Sequence, residues 1–464
     1  MSAVQDTTAS RPAQLRCITP ADVSVEMIDP VIPSAREQAA AIIASVTSDG
    51  YAGLEREAVR LGDIPQAGAQ LVYCKADLKR AFDALPRGER ALLVRVAGRI
   101  KAFALAQRSS VRDIETPIPG GTAGQQVVAM EVAGCYAPGG RYPLPSSVLM
   151  TAVTARAAGC KTVWVASPRP APVTLAAAHV AGVDALLAAG GAQAIAAFAY
   201  GVDNGNVAVP SCDIIVGPGN RWVTAAKSLI AGRCAIDMLA GPSECLCLCD
   251  ETADASVVAR DLIAQAEHDT DAMPILVTTD ASLPARVNAE IEAQLATLST
   301  ADVARVSVSK GIAVTCCDMD EAISVTDRFA PEHLEVQTRN ARAVSDRIAH
   351  YGGLFIGKRA AEVFGDYGAG PNHVLPTGGT ARYTGGLSVF SFLRVRTWMD
   401  ITDGVSSQGL VEDSAQLARL EGLEGHALAA EARRLPPPTG DESKGARTAV
   451  AVAALTMLAS VLLR

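Results

Sequence analysis

The runs Thr162-Val-Trp-Val-Ala166, Ala185-Leu-Leu-Ala188 and Ile214-Ile-Val216 each have the length and apolar content of a buried strand. Between them, residues 172–181 and 192–200 are alanine-rich and helical in pattern. Strand, helix, strand with short glycine-bearing joints is the βαβ pattern, which implies a mostly parallel sheet with helices on both faces. Working outward, a strand at 127–132 and a helix at 146–158 precede this core, and a helix at 221–230 follows it. The alternation then resumes with strands at 245–249, 274–278, 311–315 and 354–356. Helices are expected there at 254–267, 283–299, 319–328 and 339–349. Towards the start, residues 35–45 and 80–107 carry helical spacing, with Pro86 and Gly88 introducing the second helix. Residues 113–124 are polar and punctuated by Gly and Pro, and 385–435 read as largely helical. The expected class is therefore α/β: two Rossmann-like parallel-sheet domains, N-terminal helices and a small, mainly helical C-terminal region.

The 464 residues exceed what one core can organise, and about three domains follow at roughly 150 residues each. Lys and Arg total 41 against 49 Asp and Glu, a formal charge of -8, which provides no basic stripe for nucleic acid or anionic lipid. The 11 cysteines are odd in number and include no CxxC pair, so they are not a disulfide framework. Cys245, Cys247 and Cys249 alternate with Leu246 and Leu248, which places the thiols on one strand face, in a line that cannot surround a metal. Cys316 and Cys317 are adjacent and also chelate poorly. A reducing, cytoplasmic setting fits this usage. Residues 1–20 lack an apolar run and do not read as a secretory signal.

No GxGxxG and no GxxxxGK[ST] is present. Four glycine-rich turns stand beside strand ends instead: Ala137-Pro-Gly-Gly140, Gly190-Gly-Ala-Gln193, Gly217-Pro-Gly-Asn220 and Ala240-Gly-Pro-Ser-Glu244. Glycine lets backbone approach a ligand, and a following helix offers unpaired N–H groups to phosphate or carboxylate. With Tyr136, Gln193, Asn220 and Ser243 at their rims, the four turns are expected to share a crevice at the carboxyl ends of strands. Among six histidines, His179 and His350 read as structural. Gln265 and His268 are three apart near a helix end, so one face could present an amide oxygen and an imidazole to a cation. A histidine there is also favoured by the helix dipole alone. Asp366 and His426 could add donors to a mixed N/O set that suits zinc, although spacing does not prove convergence. Glu332-His333 pairs the two groups most easily tuned for proton transfer near neutrality, and His373 stands in a proline-fixed loop.

Six motifs occur together and in order: Gly217-Pro-Gly-Asn220, Ile236-Asp-Met-Leu-Ala-Gly-Pro-Ser-Glu244, Gln265-Ala-Glu-His268, Ala330-Pro-Glu-His-Leu334, Gly370-Pro-Asn-His-Val-Leu-Pro-Thr377 and Glu421-Gly-Leu-x-x-His426. Over roughly residues 20–435 the chain thereby resembles the histidinol dehydrogenase family. The resemblance implies a zinc-dependent homodimer that oxidises L-histidinol to L-histidine with two NAD+, through L-histidinaldehyde held in the site. It implies Gln265, His268, Asp366 and His426 of the partner subunit as zinc ligands, and Glu332 and His333 as the catalytic pair. Substrate contacts would come from Ser243, His373 and Glu421, together with Gln265, His268, His333, Asp366 and His426; nucleotide contacts would come from Tyr136, Gln193 and Asn220. The expected division is an extension at 1–24, a discontinuous α/β domain at 25–130 plus 240–382 bearing most metal and catalytic residues, and a nucleotide-side domain at 131–239. A helical region at 383–435 would be exchanged across the dimer, and a Pro-rich linker with an apolar tail would close the chain at 436–464.

Some features depart from the family pattern. Arg141 and Arg221 resemble positions in relatives that act on other small alcohols, such as sulfopropanediol dehydrogenases, but could equally serve NAD phosphates or the fold. Taken alone, the Gln/His/Asp/His set would also suit a zinc hydrolase. The apolar run at 448–463 lies outside the resemblance; as a helix it would span about 24 Å, short of a hydrocarbon core of about 30 Å, and it reads as a docked or frayed tail rather than a membrane anchor.

Overall fold

The computed structural model describes residues 13–23, 30–139 and 142–436. Gly140, Arg141 and the expected apolar tail lie outside the described residues, as do positions 1–12 and 24–29. The described residues divide into two compact units, those up to 110 together with those within 129–393, and those at 111–128 together with those from 394 onward.

Two six-stranded sheets organise the first unit. One runs in the order Arg16–Ile18, Ile312–Thr315, Met273–Thr278, Glu244–Cys249, His333–Gln337, Gly353–Ile356, and every pairing is parallel. Its two faces bury different side chains, as the period of two along a strand requires. Cys245, Cys247, Cys249 and Leu276 pack with Val258, Leu262 and Ile291 of the helices Ala255–Ala266 and Leu283–Leu295. Leu246, Leu248, Val277 and Leu334 pack on the opposite side with Ala322 and Val325 of the helix Met319–Phe329. Asp254 and Asp318 start the first and last of these helices by accepting N–H bonds from Ser256 and Glu321. The three thiols are thus fully buried core groups, as their alternation indicated.

The other sheet has the order Ala235–Ile236, Ile214–Val216, Val132–Tyr136, Thr162–Ala166, Ala185–Leu187, Val72–Cys74, parallel throughout except for the last pairing. Ala35, Ala39, Ile42 and Leu54 of the helix Pro33–Arg60 enter the same core as Ile195 and Phe198. The apolar face of this first helix and the strand Val72–Cys74 both join the second sheet. Arg16–Ile18 is an edge strand of the first sheet.

Several boundaries also differ from expectation. The helix placed at 80–107 is two helices, Lys75–Ala84 and Arg87–Ser109, because Pro86 lacks an N–H and holds Leu85 in an extended conformation. The first helix runs well past residue 45, through a non-helical Gly50. The region expected to be a helix at 283–299 ends at Leu295, and a separate helix follows at Ala301–Val308. The helix placed at 339–349 is only Ala341–Ser345.

In the second unit, Ile114–Ile118 and most of Gly121–Ala129 form a hairpin from the stretch read only as polar, in one sheet with Leu393–Ile401. The single strand expected at 127–132 is therefore two strands, with Val132–Tyr136 belonging to the first unit. The helices Gln408–Leu420 and Glu424–Glu431 bear out the helical C-terminal region. Among the described residues, no helix is long and apolar enough to cross a membrane.

Leu248 is fully buried between the central strands and the Met319–Phe329 helix. Leu248→Ala should lower unfolding free energy by about 2–5 kcal/mol in a denaturant titration, the usual cost of a core cavity.

Candidate active site

The acid–base pair stands at the amino end of its strand. Glu332 precedes the strand His333–Gln337 and His333 opens it, directly opposite Cys245 of the neighbouring strand. Parallel strands leave backbone N–H groups unpaired at that end, and the Glu332 carboxylate uses one, accepting from Glu244 N at 2.9 Å. His333 Nδ1 lies 3.1 Å from the Glu244 carbonyl oxygen. A carbonyl only accepts, so Nδ1 carries the proton and Nε2 is left facing Asp366 Oδ1 at 3.7 Å. Nε2 is buried and has no hydrogen bond among the described residues.

Facing this pair is a second set of groups. Gln265 comes from the last turn of Ala255–Ala266, and His268 follows that helix's end. Glu362 and Asp366 open and close the five-residue helix Glu362–Asp366, where a spacing of four puts both carboxylates on one side. Donor atoms of His268, Glu362 and Asp366 all lie within 4.8 Å of one another. His268 Nε2 is 3.8 Å from Asp366 Oδ2. Gln265 is fully buried with both amide atoms unpartnered, and Glu362 is 1% exposed with neither oxygen in a well-formed hydrogen bond. The thiol of Cys245, a weak donor, is alongside. Buried, unsatisfied oxygens around a half-exposed imidazole are what a divalent cation would satisfy, and the N/O donor types suit zinc.

The ionisation of the site follows from its crowding. Burial pushes Glu332 up to about 8, against the pull of His333 and the Glu244 N–H. Burial pushes Glu362 up to about 7. Burial works to lower His333, but Glu362, Glu332 and Asp366 outweigh it and hold the imidazole well above its ordinary range. Burial would likewise raise Asp366, yet His333, His373 and His268 hold it below the usual carboxylate range. His373 is lowered by burial, and its Nε2 is unpartnered. Beneath the site, burial and the neighbouring Glu335 push Asp261 up to about 8, and burial raises Glu335 as well, so the adjoining pair holds on to a proton.

A cavity of about 1430 Å³ adjoins these groups, lined by Tyr136, Gly190, Gln193, Asn220, Trp222 and His268 among others. The three expected nucleotide-side residues therefore share one cavity with a candidate cation donor. The Tyr136 hydroxyl oxygen (Oη) accepts from Gly191 N at 3.1 Å, leaving its hydroxyl proton to donate. Asp63 accepts from Gly190 N at 2.8 Å and from Gln193 Nε2 at 2.6 Å, which fixes the Gln193 amide with its oxygen unpartnered. Asn220 caps the helix Arg221–Ile230, accepting from Trp222 N and Val223 N. The turn before it is locked by buried Lys227, which donates to Gly217 O and Asp237 Oδ1, both at 2.6 Å. Gly217 has φ +118, and a Cβ there would lie 2.0 Å from the Tyr136 carbonyl oxygen. The Arg221 guanidinium lies over the Trp222 ring at 4.5 Å.

The turn at 240–244 is a correction to the shared crevice. It precedes its strand and reaches the acid–base pair through Glu244, and Ser243 is half-buried there, outside the cavity lining. Glu421 and His426 belong to the second unit, where both are exposed. Sequence reasoning missed Glu362, Asp63 and Glu244. Glu362 had a usable signal, four residues ahead of Asp366.

Taken together, the two sheets and the site define an α/β protein in which a buried Glu332–His333 pair faces a cluster of carboxylate and imidazole donors. Residues 30–434 match the histidinol dehydrogenase family. A histidinol dehydrogenase of Ralstonia nicotianae is 41% identical over 404 residues, covering 85% of this chain and 90% of the relative. A sulfopropanediol 3-dehydrogenase of Ruegeria pomeroyi is 37% identical, covering 84% and 94%. The crystal structure of histidinol dehydrogenase from Elizabethkingia anophelis superposes with a TM-score of 0.80 at 28% identity, over 91% of this chain and 94% of that one. The chain belongs to the histidinol dehydrogenase family and is an oxidoreductase of that family.

The raised Glu332 makes stability depend on pH with a definite sign. Below its ordinary value of 4.5 both folded and unfolded chains hold the proton; between 4.5 and about 8 only the folded chain does, so stability falls as pH rises. In chelator-treated protein, thermal or denaturant unfolding should show this loss, up to about 1.4 kcal/mol per pH unit from this group, and Glu332→Gln should flatten it.

Proposed function

We propose that this enzyme oxidises L-histidinol to L-histidine with two NAD+, holding L-histidinaldehyde between the steps. The observation that carries the reading is His333, whose Nδ1 is tied to the Glu244 carbonyl while Nε2 faces the cation donors unpartnered. In the first step His333 Nε2 takes the hydroxyl proton as hydride leaves the carbinol carbon for NAD+, giving aldehyde and NADH. In the second, Glu332 accepts a proton from water as its oxygen adds to the aldehyde carbon. The resulting hydrate anion loses hydride to a second NAD+, giving the carboxylic acid and a second NADH, and the acid then releases its proton to solvent as the carboxylate forms.

Gln265, His268 and Asp366 would hold zinc, with His426 of the partner subunit as a further ligand. When bound, the ion supplies positive charge that offsets the crowded carboxylates and orients the amine and imidazole of an amino alcohol. Ser243, His373 and Glu421 would contact the substrate. Tyr136, Gln193 and Asn220 would contact the nucleotide, the first through its free hydroxyl proton and the second through its unpartnered oxygen. A homodimer is part of this reading, supported by the exposure of Leu417, Leu420 and Leu428 in the second unit. A reducing, cytoplasmic setting also belongs to this reading.

The Ruegeria relative favours a comparator substrate. Purified enzyme with L-histidinol should form two NADH per substrate consumed, with no aldehyde released to solution. Faster turnover of sulfopropanediol would transfer the assignment to the sister reaction, and no NADH from either alcohol would end the oxidoreductase reading of these substrates. Glu332→Gln should slow oxidation of supplied aldehyde by roughly 100-fold or more while sparing the alcohol step better. Equal losses in both half-reactions would remove Glu332 from its role.

A further inference from the structure

His333, Glu335 and Gln337 alternate along one strand and so share a face, in register with Cys245, Cys247 and Cys249 next door. Asp261 and Gln265, four residues apart on the helix Ala255–Ala266, serve the same side of the sheet as that face. Glu335 is fully buried and nothing in the proposed chemistry uses it. Its carboxylate is nevertheless fully engaged. One oxygen accepts the backbone N–H of Glu362 at 2.7 Å, and the other accepts from Gln337 Nε2 at 2.9 Å, with the Cys247 thiol 3.9 Å away. The same Gln337 nitrogen donates to Asp261 at 2.8 Å.

The bond to Glu362 joins two parts of the site. Glu335 sits two residues after His333 on the acid–base strand. Glu362 begins the short helix that ends in Asp366, and one helical turn has little cooperativity of its own to hold that geometry. A buried carboxylate deprived of its partners is costly, so the strand and the helix start are bound to each other by mutual need.

We propose that Glu335 is a positioning residue that clasps the helix Glu362–Asp366 to the His333 strand and thereby presets the cation donors against the acid–base pair. The proposal rests on the reading that His268 and Asp366 hold a divalent cation. Removing the acceptor loosens the donors before it touches the chemistry, and an isosteric amide, which still accepts from Glu362 N–H, restores them.

The test uses the full-length enzyme, with Zn2+ affinity measured by chelator competition and backbone amide hydrogen exchange read at Glu362. Glu335→Leu should bind Zn2+ roughly 10–100-fold more weakly, the usual effect of losing a group that orients a ligand, with faster exchange at Glu362. Glu335→Gln should recover affinity to within about threefold. A folded Glu335→Leu protein with unchanged Zn2+ affinity would overturn the clasp. Should that variant not fold, exchange in the unsubstituted protein decides: strong protection at Glu362 with zinc removed supports the clasp, and exchange at the rate of an exposed amide refutes it. If the unsubstituted enzyme takes up no Zn2+, the cation reading fails separately, and protection at Glu362 still judges the clasp.

Discussion

Glu332, Glu335, Glu362 and Asp366 are all buried within one neighbourhood, and His333 is buried among them. Two ionised carboxylates about 4 Å apart repel by on the order of 4 kcal/mol even in a moderately polarisable interior. The fold therefore cannot keep all of them charged without compensation. It meets the constraint group by group. Glu332 takes the Glu244 N–H, Glu335 takes the Glu362 N–H and the Gln337 amide, and Asp366 is held below the usual carboxylate range by imidazoles. Glu362 and Gln265 remain with no hydrogen bonds of normal geometry. The oxygens of Glu362 and Gln265 are thus left uncompensated where a cation would sit, with the unpartnered Nε2 atoms of His333 and His373 also buried and without hydrogen bonds.

This distribution decides what each group can do in catalysis. Because Nδ1 of His333 is tied to a carbonyl, its two nitrogens are not interchangeable: one holds the ring in place and the other has no hydrogen bond among the described residues. The carboxylates that keep the imidazole protonated include two of the cation donors, so charge bound at those donors would weaken that hold and free Nε2 to act as a base. Metal binding and base strength are in that sense one electrostatic quantity.

Much of this architecture was legible in the sequence, and the reasons are specific. Strands such as Thr162–Ala166 and Ile214–Val216 are buried on both faces and read as unbroken apolar runs. The thiols of Cys245, Cys247 and Cys249 showed their face through a period of two. Short edge strands such as Val72–Cys74 carry too few residues for any period to register. Leu393–Ile401 was hidden for another reason: its exposed Arg394 and Arg396 make it look like a polar linker. Motif resemblance supplied Gln265, His268, Glu332, His333 and Asp366, whereas Glu335 and Asp63 act through partners distant in sequence. Glu335 looks like an ordinary strand residue until the helix that follows Ala361 is known to begin against it.

The cavity draws its polarity from opposite ends of the two sheets. Gly190–Gln193 and Gly217–Asn220 follow the carboxyl ends of second-sheet strands and lead into the helices Gly191–Tyr200 and Arg221–Ile230, whose amino termini carry partial positive charge. His268 follows the carboxyl terminus of Ala255–Ala266, where unpaired carbonyls carry partial negative charge. Both features line the same cavity. Backbone dipoles alone thus favour an anionic group on one wall and a cation on the other. The proposed nucleotide phosphates and metal-held amino alcohol match these two walls, and the Glu332–His333 pair stands at the amino end of its strand. At the carboxyl ends, helix starts would have drawn the anion to the cation's side. At the amino ends, unpaired strand N–H groups steady the Glu332 carboxylate, and the helix end leaves room for positive charge.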